Sequence, residues 1–98
     1  MGFRDVKAKV LACLEAGAVS HEQRSSIDIK NRLATGQVTL HEVAAVIGQA
    51  RGNQYRSSPH HLVSSVDVHV ITARRKGKDW YIKWYFVEPD CVFISVHH

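Results

Sequence analysis

The stretch Trp80-Tyr81-Ile82-Lys83-Trp84-Tyr85-Phe86-Val87, followed after Glu88-Pro89-Asp90 by Cys91-Val92-Phe93-Ile94-Ser95-Val96, decides the fold class. Aromatic and β-branched residues at period two, separated by turn formers, mark an antiparallel hairpin. With Glu88-Pro89-Asp90 as the loop, Val87 faces Cys91. Ile82, Trp84 and Phe86 then lie opposite Val96, Ile94 and Val92 on one apolar face. The other face collects Tyr81 opposite His97, Lys83 opposite Ser95, and Tyr85 opposite Phe93.

Upstream, residues 66–74 alternate and precede Lys76-Gly77-Lys78, which reads as a three-residue loop. Turning Val66, Val68, Val70 and Thr72 toward the core sets positions 73 and 71 and His69 opposite Tyr81, Lys83 and Tyr85. One sheet surface is thereby expected to carry His69, Tyr81, Lys83, Tyr85, Ser95 and His97.

The first half changes period. Phe3, Val6, Val10, Cys13 and Leu14 recur at helical spacing, and Gly17 stands where a left-handed cap would end the helix. Ser20-His21-Glu22-Gln23 has capping-box form and would open a second helix to about residue 34. Thr39-Leu40-His41-Glu42 is a stronger box, followed by Val43, Ala44, Val46, Ile47 and Ala50, with Gly52 closing the helix; residues 53–62 read as a loop. The expectation is one α+β domain over residues 1–98. About three N-terminal helices (about 3–52) would pack on a C-terminal three-stranded antiparallel meander (about 63–97).

With 98 residues, 45% of them hydrophobic and 22% charged, the chain fits a small folded domain and excludes a multidomain enzyme or a disordered tail. Its net charge is +4. The excess is concentrated in residues 51–83, where Arg51, Arg56, Arg74, Arg75, Lys76, Lys78 and Lys83 face only Asp67 and Asp79. That placement points to a polyanionic partner.

The N-terminus has no signal-length apolar run and no segment has the length of a membrane span, so a cytoplasmic location without a membrane partner is expected. Cys13 and Cys91 read as small buried hydrophobes. His60-His61 with His69 and His97 have no carboxylate or cysteine at ligand spacing, so neither a metal nor another cofactor is expected. His98 in the terminal His97-His98 pair also fits an appended tag.

The chemistry offered by the open sheet face is proton transfer by imidazole, charge stabilisation by lysine and arginine, and stacking by tyrosine. Those groups suit cleavage of RNA at its 2′-hydroxyl. His97 is the expected acid or base, His69 its complement, and Lys83 a charge-stabilising cation. Arg74, Arg75, Lys76, Lys78 and Tyr85 are expected to follow the strand.

Trp80-Tyr81-Ile82-Lys83 followed by the run from Cys91 to His97 resembles the C-terminal hairpin of MqsR-type toxins, which have Val-Tyr-Leu-Lys, a turn, and an aliphatic run ending Ser-Phe-Lys. Tyr55-Arg56-Ser57 resembles the same family's Phe-Tyr-Lys-Ser. The resemblance implies a RelE-like (BECR-type) fold, endonuclease action on messenger RNA, and a cognate antitoxin protein as partner. It carries functional roles onto Arg56, Tyr81 and His97. His69 is the nearest candidate for a family glutamine in the first strand. Arginine at 56 keeps the cation but cannot act as a base at neutral pH, whereas histidine at 97 is a true acid/base group. A non-catalytic RNA-binding module using the same face is the alternative.

Overall fold

The computed structural model describes residues 2–22 and 27–98. Its elements are α1 (Phe3–Ala16), β1 (Val19–His21), a single helical turn α2 (Ile27–Lys30), α3 (Leu40–Gln49), and β2 (Tyr55–Pro59), β3 (Asp67–Arg75), β4 (Lys78–Val87) and β5 (Asp90–His97).

Both long helices begin and end for local reasons. Gly17 takes φ 71° after α1, and its N–H and that of Ala18 cap the carbonyls of Leu14 and Cys13. At α3, the Glu42 N–H donates to Thr39 Oγ1 at 3.1 Å while the Thr39 N–H donates to Glu42 Oε1 at 3.1 Å, completing the expected box. Hydrogen bonds donated to its carboxylate by the Thr39 backbone N–H, and secondarily by the Thr39 hydroxyl, hold the exposed Glu42 carboxyl below its ordinary pKa. The helix stops at Gln49, ahead of Gly52, because Ala50 is already extended.

The expected three helices on a three-stranded antiparallel meander are corrected. The sheet has five strands in the order β1-β5-β4-β3-β2, and β1 runs parallel to β5, so it is mixed. The segment from Ser20, expected to open a second helix, instead enters the sheet. Val19, Ser20 and His21 pair with Cys91, Val92 and Phe93. Gln23, the last member of that box, lies outside the described residues. Backbone bonds from Cys91 N to Ala18 O (3.0 Å) and from Glu22 N to Phe93 O (2.9 Å) satisfy an edge that β5 would otherwise leave open. Residues 53–62, expected as a loop, contain edge strand β2, antiparallel to β3. Pro59 ends it at a position where a missing N–H does least harm.

Helices α1 and α3 cover one face of this sheet. Val6, Val10 and Leu14 of α1 and Val43, Val46 and Ile47 of α3 bury against Ile71, Trp80, Ile82, Trp84, Phe93 and Val96. Each fully buried large side chain contributes about 1.5–3 kcal/mol. Cys13 and Cys91 are both buried in this layer, and burial with the neighbouring Cys13 thiol pushes the Cys91 thiol up to about 12. Asn31 is also fully buried, with its amide donating to Phe93 O at 3.3 Å and its Oδ1 accepting from Ala34 N at 3.1 Å.

Two turn lengths differ from expectation, and both move side chains. Arg75 pairs with Lys78, leaving a two-residue turn in which Lys76 (φ 52°) and Gly77 (φ 76°) are both left-handed. Such a turn follows the natural strand twist better than a longer loop. At the other hairpin Val87 pairs with Asp90, which also leaves two residues. Tyr81↔His97, Ile82↔Val96 and Lys83↔Ser95 pair as expected. Beyond a bulge, however, Trp84 meets Phe93 and Tyr85 meets Val92. Ile94 is the extra residue.

Candidate nucleic-acid interface

The sheet face turned away from α1 and α3, where Val68, Val70 and Ser95 are themselves buried, is organised in cross-strand rows. One row runs Thr72, Tyr81, His97. The next, about 7 Å along the strands, runs Arg56, Val70, Lys83, Ser95. A third contains Tyr85, Val92 and Ser20. Of the sequence-predicted catalytic residues, His97, Tyr81, Lys83 and Arg56 therefore share one surface, together with Tyr85 and Arg74 of the expected RNA-binding set.

Tyr81 and His97 stack with centroids 5.2 Å apart and planes at 15°. Burial, then the positive charges of Arg32 and Lys30, holds the His97 imidazole below its ordinary pKa of 6.5. It is accordingly neutral at pH 7 and able to accept a proton. Lys30 and Arg32 escaped the sequence reading because they belong to the supposed second helix. In the structure Asn31 bridges Val96, which carries its two neighbours to the side of His97.

His69 does not join this surface. With a two-residue turn, Thr72 faces Tyr81 and His69 pairs with Trp84, so its side chain points to the helix-covered side. It is 7% exposed, shares a 2.7 Å hydrogen bond with Tyr55 Oη through Nδ1, and packs on Trp84 and Phe86. Burial lowers its pKa and raises that of Tyr55. The same one-residue shift turns Val68, Val70 and Thr72 to the open face.

In place of His69 the open face holds a cluster absent from the expected site. Glu22, directly after β1, meets His60 at the end of β2. The imidazole Nδ1 of His60 accepts from the backbone N–H groups of Leu62 (3.1 Å) and Val63 (3.3 Å). Neutral His60 therefore carries its proton on Nε2, which lies 3.3 Å from Glu22 Oε1. The Tyr85 hydroxyl donates to the same oxygen at 3.5 Å. Burial, then the Glu22 charge, raises the Tyr85 phenol above its ordinary value. His60 also meets Tyr85 edge-on and stacks on His61. A cleft of about 560 Å³ opens here, lined by Glu22, Ser58, His60, His61 and Lys83 among others. Lys83 and Tyr85 are legible in this corner from the alternation of β4, whereas His60 enters the sequence reading only as a metal-ligand candidate and Glu22 only as part of a capping box.

The basic hairpin tip divides. Arg74 lies on the open face, 3.7 Å from Asp79 in an exposed pair worth about 0–1 kcal/mol. Arg75, Lys76 and Lys78 line a small cleft of about 180 Å³ with His41, Glu42 and Trp80, near the start of α3. Tyr85 lies on the open face beside Glu22. Of the five residues expected to bind RNA, Arg75, Lys76 and Lys78 thus border one cleft, while Arg74 and Tyr85 lie on the open face.

Among the described residues, no three His, Cys, Asp or Glu side chains come together in a way that could hold a metal ion. No helix there is long and apolar enough to cross a membrane. What fold and surface define together is an α+β domain with a basic, aromatic, imidazole-bearing open sheet. No family model matches the chain, and no curated protein matches it.

Proposed function

We propose that the chain is an endoribonuclease that cleaves single-stranded messenger RNA on its open sheet face without a metal ion, and that it is the toxin of a toxin–antitoxin pair. The supporting observation is the His97 imidazole stacked on Tyr81, one row from Lys83 and Arg56. Lys83 and Arg56 flank the buried Val70 from either side, so this row carries two cations.

In this reading His97 takes the proton of the 2′-hydroxyl. O2′ then attacks phosphorus, and Lys83 and Arg56 hold the charge of the phosphorane. The 5′-oxygen leaves with a proton from water, producing a 2′,3′-cyclic phosphate. Tyr81 holds the imidazole plane and presents a ring edge to a base. Lys30, Arg32 and Arg74 add positive charge around the path.

The resemblance of the hairpin to MqsR-type toxins supports the same reading. An antitoxin protein presenting carboxylates to the basic face would silence it, and messenger RNA as substrate implies work in the cytoplasm. The non-catalytic alternative gains from the position of His69, since one complementary imidazole is missing from the face.

Incubating purified chain with a labelled RNA in EDTA decides between them. Cleavage to cyclic-phosphate ends, lost in His97→Ala, supports the nuclease. Salt-dependent binding with the RNA left intact supports the binding module. Growth arrest on expression, relieved by the same substitution, supports the toxin role.

A further inference from the structure

We propose that Cys13 and Cys91 form a reversible oxidation site, in which hydrogen peroxide converts the two thiols into a disulfide that ties the end of α1 to the start of β5. Both are free thiols in the structure. They lie in the helix-covered core layer, so neither sulfur takes part in the RNA chemistry of the open face.

Local geometry brings them together from opposite ends of the chain. The left-handed turn at Gly17 folds the chain back on α1, and the Ala18 N–H returns to the Cys13 carbonyl at 2.9 Å. The carbonyl of the same Ala18 accepts from the Cys91 N–H at 3.0 Å. One residue thus holds both cysteine backbones. The side chains follow. The Cys13 thiol donates to the carbonyl of Pro89 at 3.6 Å, two residues before Cys91, and both thiols are buried in one core cluster as neighbours. A disulfide forms without strain only where the backbones are already close and the side chains converge. Both conditions arise here from the cap of α1 and the pairing of β1 with β5.

The two sulfurs have different parts. Cys13 is 8% exposed and Cys91 0%, so a small oxidant meets Cys13 first. Burial, then the Cys13 thiol beside it, pushes the Cys91 thiol up to about 12. Cys91 therefore stays protonated at neutral pH and is not the first nucleophile. The Cys13 thiolate attacks one peroxide oxygen and the O–O bond breaks. Cys13 becomes a sulfenic acid, and the departing hydroxide takes up the proton that Cys13 had released. The Cys91 sulfur then attacks the Cys13 sulfur. The S–O bond breaks, and the hydroxyl leaves with the Cys91 proton as water. Each sulfur gives up one electron, and the peroxide ends as two waters. The closed loop contains every element from β1 to β4, so the bond removes freedom chiefly from the unfolded chain.

The purified chain, reduced and then freed of reductant, is treated with hydrogen peroxide and followed by thiol count in denaturant, intact mass and thermal melt. Both thiols are expected to disappear together, with a mass lower by two hydrogens and a single-chain band on a non-reducing gel. The melting temperature is expected to rise by about 10–20 °C, and dithiothreitol is expected to reverse every change. Cys91→Ala is expected to gain oxygen at Cys13 under the same treatment, with no rise in melting temperature. Wild type alone is enough to overturn the assignment. Survival of both thiols at a peroxide concentration that oxidises them in urea does so, as does a gain of oxygen atoms in place of the loss of hydrogens. A disulfide that lowers the melting temperature also overturns it, since such a bond fits the unfolded chain and not this core.

Discussion

Two of the molecule's histidine–tyrosine pairs lie on opposite sides of its sheet, and they have opposite characters. Tyr55 and His69 share a 2.7 Å hydrogen bond beneath the helix-covered layer, with His69 7% exposed. Tyr81 and His97 meet face to face on the open side, with cations close by. The same two residue types thus form a structural bolt in one place and, on the proposed reading, an acid–base pair in the other. What separates them is register: one residue of slip along β3 would exchange the roles of His69 and its neighbours.

Substitutions that strike one pair and spare the other test this contrast. The largest effect is expected from His97→Ala, which should lower RNA cleavage by about 10²–10⁴-fold with little change in melting temperature. Equal loss of activity in His69→Ala, assayed per folded molecule, would erase the contrast. Lys83→Met comes next. Loss of a charge-stabilising cation should lower kcat by about 10²-fold while a circular-dichroism melt remains two-state and near wild type.

His69→Ala is expected to cost about 1–3 kcal/mol of stability by urea titration, since it removes the imidazole partner of the half-buried Tyr55 hydroxyl and the packing of His69 on Trp84 and Phe86. Cleavage by the remaining folded protein should be near normal. An acid titration gives a smaller effect of definite sign. Burial holds the imidazoles of His21 and His69, and burial with cations that of His97, below 6.5 in the folded chain. Below that value the unfolded chain takes up more protons, so stability present at neutral pH is lost as pH falls from 6.5 through the lowered folded values. His69→Phe should flatten part of that slope. Smallest of all, Asp79→Asn should shift stability by less than about 0.5 kcal/mol, because the exposed Arg74–Asp79 pair is screened by solvent.

Much of this contrast was legible in the sequence, but not all. The caps at Gly17 and Thr39–Glu42, the alternation of β4, and the pairing of Tyr81 with His97 follow from strong local chemistry and a long periodic run. His69 was misplaced because the tight turn at Lys76-Gly77 and a three-residue loop look alike in composition yet differ by one residue of register. Strands β1 and β2 are short edge strands whose stability comes from their neighbours, so their own residues carry almost no pattern. Glu22 and His60 meet only because those two strands bring both chain segments over the open face. The expected capping role of Ser20–Gln23 hid the first of them.

The parallel pairing of β1 with β5 also governs when the open face can exist at all. Val19 meets Cys91, and Asn31 meets Val96, so the strand that presents His97 is flanked by chain from the first third of the sequence. Closing so long a loop must precede any gain from the contacts it brings, and topologies dominated by such pairings fold over milliseconds to seconds. Until then Lys30 and Arg32 are remote from His97, and Glu22 from His60. A partly folded chain accordingly has the residues of the open face without its geometry.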